Sequence, residues 1–146
     1  MKRRIRGTIL GLVMLSVLAV SVSAKASVDN GAGRLNFQQF KIYGSQQTLM
    51  ATGYTQYSPY GTINVIVDNM YKTDGSASTY RTSLWTVTNT ATGAVAVDRK
   101  EVTVGKEIAI EVNPGNVSGV RYDINVKGNS SADALISGSV KNFNKI

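Results

Sequence analysis

A chain of 146 residues with neither cysteine nor histidine cannot build a disulfide framework, a thiol nucleophile, a Ser-His-Asp triad or a zinc site of the usual kind. The formal charge of +7 overstates its basicity. Lys2, Arg3, Arg4, Arg6 and Lys25 all precede residue 27, so residues 27–146 hold eleven basic against nine acidic side chains, a net of +2; with no Lys/Arg patch, nucleic acid is not an expected partner.

In chain order, the first predicted element is a signal peptide over residues 1–26. Lys2, Arg3, Arg4 and Arg6 form an n-region, residues 9–22 (ILGLVMLSVLAVSV) form an apolar stretch, and Ala24-Lys25-Ala26 supplies a small-x-small cleavage pattern. The apolar stretch is shorter than the roughly 20 residues a membrane-spanning helix needs, so the remainder is expected to be secreted without a membrane anchor. Arg6 stands where the twin-arginine route wants an apolar residue, which favours ordinary Sec export. The leader and the absence of cysteine point to a bacterial source, with no thiol for lipid attachment. Asn144-Lys145-Ile146 carries no sorting motif, so no covalent wall attachment is expected.

Residues 27–33 read as a flexible start to a single domain over 34–146. Beyond them Val, Ile, Thr and Tyr dominate and turn signals recur about every ten residues, with no sustained helical period. A first strand is predicted over 34–43, where Leu35 and Phe37 are in phase but Phe40 and Ile42 have slipped, predicting a bulge at Gln38-Gln39. Strands over 48–57, 62–71 and 79–88 follow, the second with Ile63, Val65 and Val67 on one face and the third with Trp85 and Val87 inward. Residues 89–93 read as a hairpin turn ending on Gly93. The strand over 94–104 loses phase at 98–100, which allows a bulge or a second turn. Residues 107–113 and 120–127 alternate cleanly, and a last strand covers 134–143. The pattern predicts an all-β, antiparallel β-sandwich of seven or eight strands with Ig-like architecture, a small β-barrel being the alternative.

Two catalytic routes survive without histidine and cysteine. A carboxylate pair of the glycosidase type would draw on nine acids, but most fall on outward strand phases or in turns. A Ser-Lys dyad finds no Ser-x-x-Lys on a helix. The expected protein is not an enzyme and takes no cofactor. Asp68-Asn69 and Asp74-Gly75 flank one end of a strand, where oxygen ligands could suit calcium. The Asp-x-Asp-x-Asp-Gly spacing is missing, so these are read as turn formers and no metal site is expected. Asn116-Val117-Ser118 and Asn129-Ser130-Ser131 match the glycosylation pattern and are read as exposed polar turns.

The candidate ligand-binding residues are Tyr54, Tyr57 and Tyr60, in Tyr-Thr-Gln-Tyr-Ser-Pro-Tyr. A tyrosine joins an apolar stacking face to a polar hydroxyl, which suits sugars and peptide surfaces. Tyr54 and Tyr57 are an odd number apart, so only a loop or bulge could bring both to one face. The sequence thus predicts a secreted, non-catalytic sandwich that binds an extracellular glycan, wall polymer or protein. A bacteriocin-like toxin or a self-assembling matrix subunit is the alternative, followed by a carboxylate-based glycoside hydrolase.

Overall fold

A computed structural model describes residues 27–31, 33–55, 61–112 and 120–146. They form strands β1 (Ser27–Gly31), β2 (Arg34–Ile42), β3 (Thr48–Thr55), β4 (Thr62–Tyr71) and β5 (Thr82–Asn89). These are followed by β6 (Val95–Thr103), β7 (Glu107–Glu111), β8 (Arg121–Gly128), β9 (Ala134–Lys141) and β10 (Phe143–Lys145). The strands make two five-stranded sheets, β1-β2-β9-β4-β7 (sheet 1) and β10-β3-β8-β5-β6 (sheet 2). Every pairing is antiparallel. Each sheet keeps two free edges, so the architecture is a sandwich and not a closed barrel.

Alternation explains the inner faces. Ile63, Val65 and Val67 of β4 and Tyr122, Ile124 and Val126 of β8 are buried, while their neighbours point outward. The sheets meet at Phe37 of β2 and Trp85 of β5, whose ring centroids lie 5.8 Å apart at a 51° tilt. The indole N–H of this wholly buried tryptophan donates to Ser83 Oγ at 2.8 Å, two residues back on the same face. Tryptophan therefore brings its polar partner with it into the core.

Among the described residues ten strands replace the predicted seven or eight, for two reasons. Residues 27–31, expected to be irregular, return through Gly33 (φ 67°) and pair with β2 from Ser27↔Gln38 to Gly31↔Arg34. The expected final strand is two. Val140 and Phe143 are both buried but three residues apart, which a straight strand cannot arrange. The chain adopts a left-handed turn at Asn142 (φ 60°) and crosses from sheet 1 to sheet 2. The crossing is tied to the β1–β2 turn by the Asn142 N–H donating to Gly33 O at 2.8 Å. Residues 98–100 make a bulge and not a second turn: Trp85↔Lys100 is followed by Val87↔Val97, and Arg99 takes φ 47°. The 89–93 turn forms as predicted, with Gly93 at φ 70°.

Candidate binding cleft

Three strands of sheet 1 build a concavity on the outer face of the sandwich. On one side of β9, β2 runs from Phe37↔Gly138 to Phe40↔Ile136. On the other, β4 runs from Val67↔Gly138 to Met70↔Ile136. Each flanking strand thus spends three steps where β9 spends two, so two bulges face one another across Ser137 and Gly138. The bulge predicted at Gln38-Gln39 is one of them, with Gln39 at φ 48° and its N–H donating to Ser137 Oγ at 2.9 Å. The other turns both Asp68 and Asn69 outward. A Cβ on Gly138 would fall on the Ile66 carbonyl oxygen and lie 2.9 Å from the Phe37 ring, so only glycine fits between the bulges.

The result is an open cleft of about 490 Å3, floored by Ser137 and Gly138 and walled by Asn36, Phe37, Gln38 and Gln39 on one side and Asp68, Asn69 and Tyr71 on the other. The walls stand two strand spacings apart, about 10 Å. Its volume falls in the range of small-ligand sites, roughly 300–1,000 Å3, but its lining is polar where those are usually apolar.

On either side of the cleft the same sheet face is internally paired. Toward one end Arg34 Nη2 donates to Ser139 Oγ at 2.9 Å, Lys141 Nζ to Glu107 Oε2 at 2.7 Å and Asn64 Nδ2 to Glu107 Oε1 at 2.8 Å. The Lys141 and Asn64 bonds hold the Glu107 carboxyl below its ordinary value. Toward the other end Lys41 lies 3.9 Å from Asp133 and 4.8 Å from the centre of the Tyr43 ring. Between them, the amides of Asn36, Gln38, Gln39 and Asn69 and the carboxylate of Asp68 make no side-chain hydrogen bond among the described residues. They are left for water or a ligand.

The tyrosine candidates lie elsewhere. Tyr54 is exposed on β3 of sheet 2, paired with Arg121 of β8 and Asn144 of β10. Tyr57 and Tyr60 fall outside the described residues. Asp68 does not join Asp74: the Asp74 carboxylate accepts from Ser76 Oγ at 2.6 Å and Ser76 N–H at 2.8 Å, closing a turn and lowering its own pKa. Among the described residues no three acidic side chains gather as a cation site would need, and Asp68 is the one carboxylate lining the cleft.

Sequence reasoning missed Asn36, Tyr71, Ser137 and Gly138, and weighed Asp68 and Asn69 only as calcium ligands before reading them as turn formers. Two signals pointed to them. Val67 and Met70 are three apart, the same phase slip that revealed the β2 bulge, and Gly138 interrupts a strand. No family model, curated protein or solved structure matches the chain.

Proposed function

We propose that this is a secreted, non-catalytic binding protein that holds an extracellular ligand in the cleft over β9. The observation that carries the reading is the contrast within one sheet face: polar side chains at both ends pair with one another, while the four amides and the Asp68 carboxylate lining the cleft make no side-chain hydrogen bond among the described residues. The predicted leader supports an extracellular setting. A glycan, a wall polymer or a protein remains the expected class of partner. The single carboxylate of the cleft supports binding over glycoside cleavage, which needs two.

Self-assembly through sheet edges, the rival role, is opposed by the longest free edge. In β6, Asp98, Arg99, Lys100 and Glu101 are exposed around a bulge, a combination that discourages strand addition. Co-sedimentation of the purified protein with isolated cell walls and insoluble polysaccharides tests the proposal. Protein in a specific pellet is the expected result; protein in every supernatant would overturn a glycan or wall polymer as the ligand and move the weight to a protein partner or a toxin target.

A further inference from the structure

We infer that the ligand of the cleft is a neutral glycan; this rests on the binding reading above and narrows it to one chemistry. The argument is the donor and acceptor set. Four side-chain amides, Asn36, Gln38, Gln39 and Asn69, each offer an N–H donor pair and a carbonyl acceptor. Asp68 adds an acceptor, and Ser137 keeps its O–H to donate after accepting from Gln39 N–H. Sugar hydroxyls are themselves donor and acceptor at once, and neighbouring hydroxyls present the alternating pattern that such amides match. Tyr71 closes one wall with a half-buried ring on which a sugar's C–H face can rest.

Charge excludes the competitors. No lysine or arginine lines the cleft, and phosphate-rich or carboxylate-rich polymers are recognised by such cations. An apolar peptide anchor would want an apolar pocket. The walls, about 10 Å apart across the strands, accept a chain one sugar wide that runs parallel to β9.

Binding of the purified protein is measured by calorimetry against N-acetylglucosamine hexamer, dextran, a β-1,3-glucan and mannan, with polyglycerol phosphate and polygalacturonate as anionic comparators. Retention of at least one neutral glycan is expected, changing less than about two-fold in 0.5 M salt because no ligand charge is screened. Asn36→Ala and Asn69→Ala alter exposed side chains and should leave the melting temperature unchanged. Each should weaken binding about five-fold, and together about 25-fold, since they sit on opposite walls. Binding only to the anionic polymers, or to walls but to none of the neutral glycans, would overturn the inference while leaving the binding reading intact. Glycan binding that is lost in Tyr54→Ala but unaffected by both asparagine variants would overturn the cleft as its place. Failure to bind any probe, walls included, would overturn the inference together with the wall-polymer reading, and leave a protein as the class of ligand.

Discussion

Ser83 stands two residues before Trp85 on the inner face of β5, and its hydroxyl is the indole's hydrogen-bond partner in the centre of the core. Replacing it with alanine strands a buried N–H, a loss of about 1–3 kcal/mol. Ser83→Ala should show this in chemical denaturation, and an unchanged midpoint would mean that the indole finds another acceptor. Gln39 presents the opposite case. It holds a left-handed backbone that costs a side-chain-bearing residue about 1 kcal/mol or more. Glycine would relieve that strain but enlarge the freedom of the unfolded chain. Gln39→Gly should therefore stay within about 1 kcal/mol of the parent in stability, because the two effects oppose one another. If the cleft binds as proposed, the same variant weakens the ligand by losing an amide. Unchanged stability with weakened binding would show that this side chain serves the cleft; a large destabilisation would show instead that it is structural.

At the scale of the strands, phase did most of the work in making the fold legible. Ile63, Val65 and Val67, and again Tyr122, Ile124 and Val126, alternate so cleanly that their inward face could be read directly, and the slip from Phe37 to Phe40 located a bulge. What escaped was long-range. Nothing local in β1 says that it will find β2, because its pairing is made through backbone groups that any residue supplies. Nor does the 134–143 segment announce its break, although burial of both Val140 and Phe143 demands one. The cleft was hidden for a related reason: each of its bulges is a local event, but their facing one another depends on β9 pairing with both strands. The sheet switch can be tested at Asn142. Asn142→Gly should be nearly neutral, whereas Asn142→Val should cost about 1–3 kcal/mol because a β-branched residue resists positive φ. Equal midpoints for the two variants would show that the backbone there is not held in the left-handed region.

For the molecule as a whole, the absence of histidine removes any titration of that side chain near neutrality, and the stability limits move to the extremes of pH. Glu107 is held below its ordinary 4.5 by Lys141 and Asn64. Its contribution is complete above that value and is lost as pH falls through the lower, folded one. Tyr122 behaves inversely: burial raises its phenol above 10.0, so its contribution is complete below 10.0 and is lost as pH climbs through the folded value. Glu107→Gln should flatten the acid limb of a melting-temperature profile and Tyr122→Phe the alkaline limb. Unaltered limbs in both variants would assign the pH dependence to other groups.

The strand order also dictates when the sandwich can come into being. β9 is the strand between β2 and β4, and β8 is the strand between β3 and β5, so residues 121–141 supply the interior of both sheets. As the chain emerges in order, everything before them amounts to the β1–β2 and β5–β6 hairpins, the β4–β7 pair and an unpaired β3, which are marginal in water on their own. Cooperative collapse must wait for the last quarter of the sequence, and the closing contacts span most of its length, a topology that folds slowly. Such a polypeptide stays loose for as long as its synthesis lasts and becomes a solid body only once β8 and β9 are made, an order of events that would suit the export proposed above.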